Sequence, residues 1–200
     1  MKKINKLLIV VFILLDIGYT IYSGLYGNIK NILINISIFP LVFVPTLIRK
    51  IFKINFPDTF ETLFIIFLFL AQFLGSMLGF YSKIPCWDSI LHFISGIITS
   101  LIGIALLVWF HKYNKKNIVF NIMFIIITAI AIAGLWEYFE FIADIFTKGD
   151  AQKVAETGVT DTMKDMIVAT LGSIIFSIFY AYEESTGKSW LIQRFIKDVK

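Results

Sequence analysis

Residues 118–146 read IVFNIMFIIITAIAIAGLWEYFEFIADIF, and this stretch decides the class of the protein. From Ile118 to Trp136 there is no charged side chain, and then Glu137, Glu140 and Asp144 follow in quick succession. A helix needs about 20 apolar residues to cross a hydrocarbon core ~30 Å thick, so the first part predicts a transmembrane segment. The second part puts three acids at one end of it.

Working outward, comparable apolar runs occupy residues 7–27, 31–48, 60–81, 87–110 and 161–182, each bounded by charge, Pro or Gly. Of the 200 residues, 58% are hydrophobic and 16% charged, which takes the chain out of the soluble globular class. The mean hydropathy of +0.83 agrees. The expectation is an all-α polytopic membrane protein, a bundle of six transmembrane helices forming a single integral membrane domain over residues 1–200, with no room for a separate aqueous domain. The first run follows Lys2, Lys3 and Lys6, as a signal peptide would, yet it continues to Gly27 without a small-residue cleavage site and is read as a retained helix.

The net charge of +4 reflects 18 basic against 14 acidic residues. In a nucleic-acid binder such an excess forms a patch or stripe on one face; here the basic residues fall between apolar runs, so no nucleic-acid partner is expected and the excess reads as topology. With a cytoplasmic N-terminus, the inner segments carry Lys2, Lys3, Lys6, Arg49, Lys50, Lys53, Lys112, Lys115, Lys116, Lys188, Arg194, Lys197 and Lys200. The outer segments keep Lys30, Lys83, Lys148, Lys153 and Lys164. The positive-inside rule therefore places both termini in the cytoplasm. A lone cysteine, Cys86, excludes an internal disulfide framework and a Cys-rich metal site. At ~100° per residue, Leu191, Ile192, Phe195, Ile196 and Val199 share one face of a tail helix over 188–200 and Gln193, Arg194, Lys197 and Lys200 the other, the pattern of a helix lying on the inner leaflet, with a frayed basic tail as the alternative.

Ionisable groups inside a bilayer are costly unless paired, hydrated or turned inward, so their positions are informative. On the fourth helix Asp88, His92, Ser95 and Thr99 fall within a narrow polar stripe; on the fifth, Glu137, Glu140 and Asp144 fit an arc of ~60°. The sixth opens with Asp161 and Asp165, with Gly172 farther along the same face. The topology puts all three stripes on the outer side. Asp16, Thr20, Ser23 and Gly27 form a weaker stripe on the first helix, and Gln72, Gly75, Ser76 and Gly79 a packing face on the third. His111, beside Lys112, reads as a solvated loop residue.

Oxygen ligands with an added imidazole suit a divalent transition metal. Asp88, His92, Glu140, Asp144, Asp161 and Asp165 are accordingly candidate ligands for Zn²⁺, Mn²⁺ or Mg²⁺. Asp88, His92, Glu137, Glu140 and Asp165 are the candidate catalytic groups, able to act as general acid and base. A proton or cation path is a second use of such carboxylates, and a hydrogen-bonded network that merely ties the three helices together is a third.

At these residues the chain resembles a known family. Trp87-Asp88-Ser89-Ile90-Leu91-His92-Phe93 with Ser95-Gly96, then Trp136-Glu137 with Glu140-Phe141 and Asp144, then Asp161-Thr162-Met163 with Asp165-Met166 and Gly172, resemble the YjdF-type bacterial inner-membrane proteins. A looser pattern is similar to VanZ-like proteins, associated with low-level glycopeptide resistance: Asp88 with His92, Glu137 with Glu140, and Asp165 with Gly172 match its elements in order. Glu140 stands where that pattern has Gln, and Ala169 where it has Asn. The resemblance implies a multi-pass protein of the bacterial plasma membrane, in contact with membrane lipids. The functional expectation is a pocket that binds or hydrolyses a polar lipid or cell-wall-intermediate headgroup, with a divalent metal to offset its carboxylates. A proton- or cation-coupled transporter and a non-catalytic, partner-binding envelope protein are the alternatives.

Overall fold

In the computed structural model the chain is described over residues 3–26, 32, 36, 40–52 and 57–199. Among these residues the regular structure is entirely helical: α1 (Lys3–Leu25), a 3₁₀ turn (Leu41–Phe43), α2 (Val44–Phe52), α3 (Asp58–Leu68), a π-helical continuation of α3 (Phe69–Met77), α4 (Phe80–Lys83), α5 (Trp87–Trp109), α6 (Ile118–Thr147), α7 (Val154–Thr157), α8 (Thr160–Thr186) and α9 (Ile192–Val199). Five helices are long and apolar enough to cross a membrane: Lys3–Leu25, Asp58–Met77, Trp87–Trp109, Ile118–Thr147 and Thr160–Thr186. The second expected span, 31–48, lies partly outside the described residues; its described C-terminal part is the 3₁₀ turn at Leu41–Phe43 followed by α2, which starts at Val44 and runs on to Phe52. The chain falls into two compact units, Met1–Trp87 and Asp88–Lys200.

In the first unit, Ile9 and Phe12 of α1 pack in one core with Val42, Ile65, Leu68, Phe73 and Met77. The start of α3 follows Pro57 and carries Asp58 and Glu61 in its first turn, where negative charge complements the helix dipole. Glu61 is buried and sits at the centre of a clasp. Its carboxylate accepts from Asn5 Nδ2 at 2.9 Å and from Thr46 Oγ1 at 3.3 Å, and lies 3.6 Å from the Arg49 guanidinium. Asn5 also donates to the Asp58 carbonyl and accepts from Thr62 Oγ1. At the far end of α1, Tyr19 donates to the carbonyl of Met77 at 2.6 Å.

In the second unit the helices approach so closely that glycine is required. A Cβ at Gly96 of α5 would lie 1.9 Å from the carbonyl oxygen of Ala169 on α8, and one at Gly172 of α8 would lie 2.2 Å from that of Phe93 on α5. No side chain of any size fits either position, and small residues at such crossings are how helices without a hydrophobic driving force between them gain close packing. Ser100 and Ser173, both fully buried, join the same two helices by a 2.8 Å hydrogen bond. Helix α6, at 30 residues, is ~45 Å long and outruns a ~30 Å hydrocarbon core. Its acid-bearing last turns can thus stand clear of the lipid interior.

The tail helix is present, though shorter than the 188–200 expected, and its N-terminus is held by protein. Glu183 accepts from the backbone amides of Leu191 (3.1 Å), Ile192 (3.2 Å) and Gln193 (2.9 Å), satisfying donors that a helix start leaves open. Glu184 accepts from Tyr113 at 2.8 Å and from the Gln193 side chain. Burial and Glu184 together hold the Tyr113 phenol above its ordinary range, so it stays a donor. Ile192, Phe195, Ile196 and Val199 are covered by protein, whereas Leu191 is exposed. The amphipathic face read from the sequence therefore packs inward at these four positions.

Candidate functional site

Three helix ends build the site within the second unit. Asp88 lies in the first turn of α5 and His92 one turn farther; Asp161 opens α8 and Asp165 follows one turn on; Glu137 and Glu140 lie in the last turns of α6. Because α5 and α8 touch where Gly96 meets Ala169 and Gly172 meets Phe93, His92 and Asp165, each one turn before the Gly96–Ala169 contact, are brought side by side. His92 Nε2 lies 3.6 Å from Asp88 Oδ1 and 3.8 Å from Asp165 Oδ2. One ligand atom from each of the three residues lies within 4.8 Å of the others.

Those separations are too long for hydrogen bonds and close to what a shared ion needs. Ligand atoms bound tetrahedrally at 2.0–2.1 Å sit ~3.3–3.4 Å apart, so the two sides that meet at His92 are within a few tenths of an ångström of what a shared metal needs. Asp165 is buried, yet its Oδ1 has no hydrogen-bond partner, and the same holds for Oε1 of buried Glu137. An unsatisfied buried oxygen costs about 1–3 kcal/mol or more when charged, and two in one site suit the binding of a cation or a donor.

The segment between α6 and α8 folds onto this cluster. Asp144 accepts from the backbone amides of Ala151 (2.7 Å) and Gln152 (3.2 Å), turning the loop inward. Gln152 donates to the carbonyl of Glu137 at 3.2 Å, to its Oε2 at 3.3 Å and to Thr162 at 3.3 Å. Lys153, in the left-handed region at φ 51°, extends its ammonium to Asp88 Oδ2 at 2.5 Å and to Asp161 Oδ2 at 2.9 Å. Burial alone would lower the Lys153 ammonium, but the hydrogen bonds and charges of Asp88 and Asp161 outweigh it and hold it above the ordinary lysine value. It is a permanent cation in the site.

The residues singled out in the sequence thus take different places. Asp88, His92 and Asp165 converge as potential ligands. Asp161 is engaged by Lys153, Glu140 accepts from Trp136 Nε1 at 2.8 Å, and Asp144 anchors the loop. Glu137 lies within electrostatic reach of His92, and Glu140 within reach of Glu137, Asp88 and Asp165. Gln152 and Lys153 lie outside the stripes that the sequence marks, and the one signal Lys153 carries is that of a lysine placed against the inward bias of the basic residues.

A family model described as "Predicted membrane protein (DUF2238)" matches residues 4–185. An "Uncharacterized protein" from Thermotoga maritima is 28% identical over 152 residues, which cover 73% of this chain and 73% of the relative. No solved structure matches the chain. With the family model covering nearly the whole apolar region, the chain belongs to the DUF2238 family of predicted membrane proteins.

Proposed function

We propose that Asp88, His92 and Asp165 hold a divalent transition metal in an outward-facing pocket, and that this pocket binds or hydrolyses a polar headgroup of the outer leaflet, such as a lipid phosphate or a lipid-linked cell-wall intermediate. The observation that carries this reading is the triangle of ligand atoms within 4.8 Å of one another with the orphaned Asp165 Oδ1 beside it. The positive-inside arrangement of the lysines and arginines supports the outward orientation. The YjdF-type and VanZ-like resemblances fit a cell-envelope setting and carry no residue role by themselves.

A metal held by Asp88, His92 and Asp165 would supply Lewis acidity toward a phosphoryl or carbonyl oxygen and toward water. Glu137, with one oxygen unpartnered, is the candidate base to take that water's proton and return it to the leaving oxygen. A transport path is less well supported: within one to two turns past His92 and Asp165, α5 and α8 are in backbone contact at Gly96 and Gly172, which leaves no width for a file of water or ions between these two helices.

Metal content decides the matter. Protein purified in detergent, wild type beside His92→Ala and Asp165→Ala, is loaded with Zn²⁺ or Mn²⁺, desalted and subjected to elemental analysis. One equivalent in the wild type and a loss in both variants is the expected result; no stoichiometric metal in any sample overturns the reading.

A further inference from the structure

Lys153 reaches the metal triangle through Asp88. One oxygen of that carboxylate, Oδ1, faces His92 Nε2 at 3.6 Å, while the other, Oδ2, is 2.5 Å from the Lys153 ammonium. The same ammonium lies 2.9 Å from Asp161 Oδ2. Two of its three donors are therefore spent on two carboxylates that stand one helix end apart. The loop that carries it is fixed from within, by Asp144 at its base and by Gln152 on Glu137.

This arrangement controls how many oxygens the site can offer. With Oδ2 held by Lys153, Asp88 is limited to one ligand atom, and Asp161 is drawn to the ammonium. What remains is a small donor set of one imidazole nitrogen, a single oxygen of Asp88 and the carboxylate of Asp165. Transition ions accept such mixed nitrogen and oxygen sets of low coordination number. Calcium instead takes 6–8 oxygens at 2.3–2.6 Å, often with a carboxylate giving both of its atoms. We propose, on the basis of the metal reading above, that Lys153 is a positioning residue that selects the ion: it excludes Ca²⁺ by keeping Asp88 to one oxygen and Asp161 out of the coordination shell.

Replacing Lys153 with Met or Gln frees both carboxylates at once. The site then has the oxygens for Ca²⁺ and one fewer positive charge to repel it. Equilibrium binding of Zn²⁺ and of Ca²⁺ is measured separately on wild type, Lys153→Met, Lys153→Gln and Lys153→Arg in detergent, with the unfolding temperature of each recorded. The expected pattern is Zn²⁺ without Ca²⁺ binding in the wild type and in Lys153→Arg, and a gain in Ca²⁺ affinity of about tenfold or more in Met and Gln, the scale at which partners outside the ligand set act. An unchanged ratio of Ca²⁺ to Zn²⁺ affinity in folded Met and Gln variants overturns the selection by Lys153 and leaves the metal site standing. Absence of binding by either ion in every sample, wild type included, overturns both.

Discussion

Each unit buries a carboxylate cluster, and the two are finished differently. In the first, Glu61 has a donor for each oxygen, Asn5 for one and Thr46 for the other, and Arg49 nearby. In the second, Asp165 and Glu137 are buried as deeply, and each keeps an oxygen with no partner. The satisfied cluster has done all it can by joining helices. The unsatisfied one holds capacity in reserve, and in a low-dielectric setting that reserve is expensive unless a cation or donor uses it. The contrast separates a clasp from a binding site without appeal to residue type, since both are built mainly from Asp and Glu.

The largest effect that would test this contrast is at Glu61. Glu61→Ala strips Asn5, Thr46 and Arg49 of their common partner, and removing one side of a buried polar pair costs about 3–5 kcal/mol. Unfolding in mixed micelles should show that loss, while the fraction that remains folded keeps its metal affinity. Next comes the platform beneath the second cluster. Gly172→Val drives a side chain into the Phe93 carbonyl, and overpacking of this kind costs about 1–3 kcal/mol. Here stability and metal content should fall together, because α8 cannot move away from α5 without taking Asp165 from His92. The smallest change in stability belongs to Asp165→Asn, which removes a charge from a crowded acidic cluster: its unfolding should shift by less than ~1 kcal/mol in the absence of metal, yet metal binding should be lost. If Asp165→Asn proves as damaging as Glu61→Ala, the second cluster is a clasp as well.

Much of the architecture could be read from the sequence because lipid leaves the backbone few choices. Hydrogen bonds must close within the segment, so a long uncharged run such as 118–136 becomes a helix. The stripes were legible for the same reason: helical periodicity alone places Asp88 below His92 and Asp161 below Asp165. What periodicity could not supply was the register between helices. Gly96 and Gly172 stood on those faces, but only the crossing itself shows that they bring His92 to Asp165. The loop was least legible. Its inward fold depends on Asp144 capturing two amides and on a lysine in a left-handed conformation, neither of which has a repeating signature. Spacing puts Asp144 on the same arc as Glu137 and Glu140, and nothing in that spacing shows that its carboxylate holds the amides of Ala151 and Gln152.

The contact of α5 with α8 also bears on stiffness. At Gly96 and Gly172 main chain meets main chain, with no side chain between to act as a cushion. The gap from His92 to Asp165, one turn away, is thus measured by two rigid rods pinned at their crossing. Such a gap works as a gauge: an occupant has to match its width, and the protein has little freedom to stretch around one that does not.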